Sequence, residues 1–134
     1  MALADLSTES TILVITGVGV ITDWGRTDPP LVIEPIDDQA TLSRGLGGNG
    51  VRFHRINPGI RITVNLMPGS PQALALQSAV NSRTEMSGSY ANINGLEGAV
   101  VSEGVITRGK SMGRAGPGMN DATFVMEFNS GVIQ

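Results

Sequence analysis

The sequence predicts a mainly β domain, a sandwich or barrel with one short α-helix as a lid. Three observations lead there. β-Branched residues dominate the opening stretch of the 134-residue chain. Apolar and polar positions alternate strictly from Ile60 to Leu66, and a helical pattern with proper end signals follows Ser70 alone. A chain of this length makes one domain, 1–134, with enough buried surface to hold without staples.

The segment Thr11 to Thr22 reads as one long strand that Gly17 and Gly19 bend. It is apolar on both faces, so cover is expected from the core on one side and from a neighbour on the other. Asp23 to Pro30 is a loop by its Gly and Pro content, and Leu31 to Glu34 is a short strand stopped by Pro35. Arg44 to Gly50 is a glycine-rich excursion ending in Asn49-Gly50, a strong hairpin signal, with a strand from Val51 to Ile56 behind it. After the Asn57-Pro58-Gly59 turn, the Ile60–Leu66 strand points Ile60, Ile62, Val64 and Leu66 inward and Arg61, Thr63 and Asn65 outward.

Ser70 is a good helix cap and Pro71 suits the first helical position. The helix then places Ala73, Leu76 and Val80 on one stripe and ends at Asn81-Ser82. The remainder is β again: a strand from Ser89 to Ile93, a turn at Asn94-Gly95, and a long strand from Gly98 to Thr107. A glycine-rich loop spans Arg108 to Asn120, and a last strand from Asp121 turns Phe124, Met126 and Phe128 inward. No internal repeat is visible.

Composition narrows the function. There is no Cys, hence no disulfide, thiolate metal site or cysteine nucleophile, and a single His rules out any site needing two imidazoles. The first residues carry acids instead of a basic leader, and the apolar run Ile12–Ile21 is too short and too broken to span a bilayer, so the expectation is a soluble protein without membrane insertion. Charged residues make up only 16% of the chain, a low density whose natural complement is cover by copies of itself. The charge is also segregated. Between Gln39 and Thr84 lie Arg44, Arg52, Arg55, Arg61 and Arg83 and no acid, whereas all twelve acids lie outside. Such a basic middle suits an anion or the acidic part of an identical neighbour, a head-to-tail contact that closes rings or grows filaments. The acidic total of −3 argues against tightly held nucleic acid.

Motifs that look catalytic fail on context. Gly45-Leu46-Gly47-Gly48-Asn49-Gly50 spells G-x-G-x-x-G, yet an Arg-rich strand follows where a dinucleotide site needs a helix. Gly109-Lys110-Ser111-Met112-Gly113 spells G-x-S-x-G without the helix a nucleophile elbow requires. His54 has no carboxylate near it in sequence and reads as a hydrogen-bonding or interface residue; Asp37 and Asp38 are adjacent and diverge on a strand. Neither a cofactor nor a metal site is expected. The arginines remain, as a solvated face or as an interface reaching a neighbour's acids. A single-strand nucleic-acid site would need an aromatic platform that is missing.

The run Gly59-Ile60-Arg61-Ile62-Thr63-Val64-Asn65-Leu66-Met67-Pro68-Gly69-Ser70-Pro71 resembles the tail tube proteins of contractile-tailed bacteriophages, in its strand end, helix entry and single short helix. The opening Ile15-Thr16-Gly17 to Asp23-Trp24-Gly25, the Arg44–Gly50 loop and the aromatic closing strand are similar as well, whereas the Arg108–Asn120 loop matches nothing in that family. The resemblance implies two packed antiparallel sheets with a flanking helix, hexameric rings stacked into a tube for DNA ejection, and a virion location after assembly in the host cytoplasm. It implies homo-oligomeric contacts together with tail sheath, baseplate and terminator partners, and only transient passage of DNA. The type VI secretion tube protein shares that fold.

On this reading the inter-subunit contact loop comprises Arg44, Gly45, Gly47, Gly48, Asn49, Gly50, Arg52 and Arg55. Glu34, Ser102, Glu103, Thr123 and Glu127 are the candidate lumen-facing positions, because a conduit for a polyanion needs a polar or acidic wall. The expected protein is not an enzyme. The alternatives are a secretion-system tube protein and a monomeric β-sandwich module that binds an anionic ligand through the Arg-rich loop.

Overall fold

The computed structural model describes residues 11–27, 29–54, 58–92, 97–113 and 120–134. Arg55 and the Asn94-Gly95 turn lie outside the described residues, as do residues 114–119 of the expected Arg108–Asn120 loop. The chain runs β1 (Thr11–Ile15), β2 (Gly19–Val20), β3 (Leu31–Pro35), β4 (Ala40–Arg44), β5 (Gly50–His54), β6 (Ile60–Leu66), α1 (Pro71–Ser82), β7 (Met86–Asn92), β8 (Glu97–Ser111) and β9 (Ala122–Ile133). The fold is mainly β, with two antiparallel sheets and one helix, as the sequence predicts. The larger sheet has the order β2-β1-β7-β8-β9-β6-β3, and the smaller is the hairpin β4-β5.

The seven-stranded sheet cannot be flat. Trp24 bridges Leu66 on the β3 side of β6, six strand spacings from β2, or about 29 Å in a flat sheet. Trp24 is only four residue steps along the chain from Val20 of β2, a reach of at most about 14 Å. The sheet therefore curls until its two ends meet. Residues 21–25 stitch the seam: the amide of Ile21 donates to Leu13 O, Gly25 to Asn65 O and Met67 to Asp23 O, at 2.8–2.9 Å. Two bulges in β8, between Ile106 and Ser111, supply bending and added twist.

Inside the curl lies one core. Leu13 and Ile15 from β1, Ile60, Ile62, Val64 and Leu66 from β6, and Phe124, Met126 and Phe128 from β9 meet there, with Ala73 and Leu76 of α1 above them. The alternation on β6 holds except at Asn65, which is buried: its side chain accepts from the Thr123 hydroxyl at 2.6 Å, and its backbone O is covered by Gly25. The helix starts where expected, with Ser70 Oγ accepting from the Ala73 amide at 3.3 Å. It ends on Arg83 in the left-handed conformation (φ +56°), whose N–H donates to Val80 O, and Val80 itself is only half-buried. Gln72 ties the helix to the seam, its Oε1 accepting from the amides of Thr22 and Asp23 at 2.8 and 2.9 Å.

Four expectations need correction. The long first strand is a tight β1–β2 hairpin, because Gly17 and Gly19 adopt φ +88° and +91°, where other residues are disfavoured. The segment before Arg44 is strand β4, and its turn is Gly45–Asn49 (Gly45 N–H to Asn49 O, 2.7 Å) instead of a two-residue Asn-Gly turn. β8 continues to Ser111, and β9 past Phe128 to Ile133. The β8–β9 ribbon also turns over: Val101 is buried and Val100 exposed, but beyond Glu103 Gly104 is buried and Val105 exposed. Glu103 makes the switch at φ +57°, a conformation costing a non-glycine residue about 1–2 kcal/mol.

A Cβ at Gly104 would collide with the Phe128 ring, whereas one at Gly47 meets nothing within 4 Å. Gly104→Ala is expected to destabilise the fold by about 1–3 kcal/mol. Gly47→Ala should leave it unchanged; urea unfolding of the two variants checks this.

Candidate assembly surfaces

The basic middle of the sequence becomes an arm. All ten residues of β4 and β5 are exposed. Because side chains alternate and cross-strand partners share a face, the arm has two different sides. Leu42 opposes Arg52, and Arg44 stands two residues beyond Leu42, so these three share one side. Thr41 opposes Phe53 and Ser43 opposes Val51, so the other side carries two apolar side chains from β5 beside two hydroxyls from β4. Leu42 is 65% exposed and Phe53 59% exposed. The tip, Gly45 to Gly48, is closed by a Gly48 N–H bond to Gly45 O at 3.1 Å, with Gly48 at φ +86°. Thus Arg44, Gly45, Gly47, Gly48, Asn49, Gly50 and Arg52 belong to one projecting structure.

The arm's root is held by two backbone bonds, Ile36 N–H to Gly59 O and Asp37 N–H to Pro58 O, at 3.3 and 3.1 Å. Beside it lies a hollow of about 300 Å³ whose lining includes Asp37, Glu103 and Glu127 as well as Ile36, Val105 and Pro58. His54, at the end of β5, shares a smaller hollow with Asp38, a carboxylate that sequence spacing gave no reason to place there. Among the described residues, no group of three or more His, Cys, Asp or Glu could hold a metal ion, and no helix is long and apolar enough to cross a membrane.

The outer face of the curled sheet gathers most of the expected wall positions. Glu34, Arg61 and Glu127 are successive cross-strand partners on β3, β6 and β9. The Arg61 guanidinium lies 3.4 Å from the Glu34 carboxylate and 3.5 Å from that of Glu127. Such partly exposed pairs contribute at most about 1 kcal/mol each; their effect is to neutralise Arg61 and leave one net negative charge. Thr123 lies on the same strand face as Glu127. Glu103 stands two residues before Val105 on β8, its carboxylate accepting from Asn129 Nδ2 at 3.0 Å. Ser102, opposite Ser130, falls on the far side of the ribbon's turn-over and does not join them.

Neither catalytic-looking motif gains a function here. The G-x-G-x-x-G run feeds strand β5, and Ser111 ends strand β8 with Gly109 packed against Gln77 and Val80 of the helix.

Sequence reasoning missed Asp121. Its Oδ2 accepts from both the amide and the hydroxyl of Thr27 at 2.7 Å, pinning the 25–27 segment beside β6. Desolvation pushes its pKa up, but the hydrogen bonds from Thr27 and Arg26, with the Arg26 charge, outweigh it and hold the carboxyl below the ordinary value. The only advance signal was an acid directly before an apolar strand.

No protein-family model matches the chain, and no curated protein does. Solved structures do. A chain of the anti-feeding prophage cap (the AFP tube terminating cap) is 14% identical, with a TM-score of 0.60 over 100% of this chain and 93% of that one. A chain of the PVC sheath–tube complex, an extracellular contractile injection system in the extended state, is 13% identical, with a TM-score of 0.59 over 97% and 91%. A chain of the PVC sheath/tube terminator in the extended state is 15% identical, with a TM-score of 0.59 over 100% and 99%. The protein therefore has the fold of components of contractile injection systems, along its whole described length.

A depressed pKa stabilises the fold above the unfolded-state value, and that contribution is lost as pH falls through the folded value. Asp121→Asn should therefore lower stability at neutral pH and flatten the loss of stability below the ordinary aspartate value of 3.8. Thermal melts from pH 2 to 7 check it; parallel wild-type and variant profiles would contradict it.

Proposed function

We propose that this chain is a non-enzymatic structural subunit of a contractile, tail-like particle, whose copies form stacked rings of an inner tube. The observation that carries the reading is the arm. A two-stranded hairpin is marginal in water on its own, and this one exposes Leu42, Val51 and Phe53 as well as Leu46 at its tip. An anion-binding monomer using Arg44 and Arg52 would leave that apolar surface wet, whereas a neighbouring copy would cover it. The likeness of fold to contractile injection system chains, end to end, supports the same conclusion.

The finer picture is six-membered rings, as in the tail tube proteins the sequence resembles. The Glu34, Thr123 and Glu127 face lines the channel, with Ser102 and Glu103 at its margin. A wall that is polar and slightly negative lets a polyanion slide without being held. Sheath, baseplate and terminator are the partners such a tube would meet in a phage tail, with DNA passing through; a secretion-type tube would carry another cargo on the same architecture. A second reading, a terminator or cap, is favoured by two of the three similar structures, one a tube terminating cap and one a sheath/tube terminator. The two differ in whether stacking continues.

Negative-stain microscopy of the purified chain over a range of concentrations tests this. Tubes with an axial pore that lengthen with concentration are expected. Single rings that never stack would select the terminator reading, and monomers at every concentration would overturn both.

A further inference from the structure

Among the described residues, Asn49 is the one asparagine followed by glycine. Its surroundings also differ from those of the others. Asn65 is buried, and its Oδ1 is taken by the Thr123 hydroxyl. Asn81 lies in α1 with its Oδ1 accepting from Gln77 Nε2, and Asn129 donates to Glu103. Asn49 is exposed, and its side-chain amide makes no hydrogen bond among the described residues.

The backbone beside it is equally open. The Gly45 amide donates to Asn49 O while Arg44 pairs with Gly50. In an antiparallel ladder this makes Arg44 and Gly50 a pair that exchanges no hydrogen bonds. The Gly50 N–H therefore points away from β4, toward the open edge of a two-stranded sheet. Gly50 has no side chain to screen that nitrogen. An unheld carboxamide thus adjoins a solvent-facing backbone nitrogen.

We propose that Asn49 is a site of spontaneous deamidation, with water as co-reactant. The Gly50 nitrogen loses its proton to hydroxide and attacks Asn49 Cγ. A C–N bond forms, the Cγ–Nδ2 bond breaks, and Nδ2 takes a proton from water and leaves as ammonia. Water then opens the five-membered succinimide. Cleavage at Cγ leaves aspartate, and cleavage at the Asn49 backbone carbonyl leaves isoaspartate, whose main chain is one methylene longer.

Either product puts a carboxylate into a stretch, Gln39 to Thr84, that holds five arginines and no acid. Isoaspartate also alters the turn. The carbonyl that accepts from Gly45 becomes the free carboxylate, and the added methylene displaces Gly50 from its place opposite Arg44. The arm of an uncovered copy therefore ages in charge and in register. The reaction needs one copy only, so it goes beyond the assembly reading and does not depend on it.

Peptide mass spectrometry tests the site. Trypsin cuts after Arg44 and Arg52 and releases 45–52, in which Asn49 is the sole amide side chain. After the dilute folded chain stands at neutral pH, that peptide should gain about one dalton and split into aspartyl and isoaspartyl forms. The gain should quicken as pH rises. It should also be about tenfold or more faster than in peptide 62–83, which carries Asn65 and Asn81. Gly50→Ala adds a Cβ whose nearest neighbour is Leu42 Cδ1 at 3.2 Å, and Leu42 is exposed and free to yield. That variant should keep the wild-type circular dichroism and age about tenfold or more slowly, because the new methyl screens the attacking nitrogen. A wild-type 45–52 peptide that ages no faster than 62–83 would overturn the assignment, as would a folded Gly50→Ala variant that ages at the wild-type rate.

Discussion

A pair of β-strands needs something to lie on. Its backbone bonds satisfy only half of its polar groups, and without a layer beneath it nothing repays the entropy of holding ten residues extended. In this protein the body solves the problem for seven strands by curling them around Phe124, Met126 and Phe128. The remaining two are left entirely in solvent, carrying Leu42, Val51 and Phe53. The arm's incomplete burial is the constraint from which the functional reading follows.

The body is built to hold that arm steady. Closure of the sheet through residues 21–25 removes the β1–β2 end as a free edge, and Gln72 and Asp121 each fix part of the seam through hydrogen bonds to backbone amides. The paired bulges of β8 and the left-handed Glu103 let the long β8–β9 ribbon follow the curl and then turn over. At the arm's root the two legs of the chain are bonded to each other, Ile36 to Gly59 and Asp37 to Pro58, which continues the β3–β6 pairing toward the arm.

Much of this was legible in the residues. The β6 pattern, the Ser70-Pro71 helix start and the inward Phe124, Met126 and Phe128 follow from periodicity and capping, which are local. The two-sheet, one-helix class followed from the order of these elements. What stayed hidden depends on distant parts of the chain. Asn65 looked outward by alternation and is buried because Gly25 and Pro30 come back across it. Arg83 ends the helix by a left-handed turn that no glycine announced. The strand β4 carries Ala, Leu and Ser in place of a β-branched run, so only its partner β5 reveals it. Glu34, Arg61 and Glu127 are far apart in sequence, and only the pairing of β3, β6 and β9 brings them into one row.

The central claim is that other copies complete this polypeptide at its arm. Amide hydrogen exchange resolved to Ala40–His54 measures it directly, comparing dilute with concentrated, assembled protein. The account predicts near-complete exchange of the arm amides within seconds when dilute, and strong protection on assembly, while the β6 and β9 amides are protected in both. Arm amides protected in a dilute monomer, or still unprotected in an assembled tube, would contradict it.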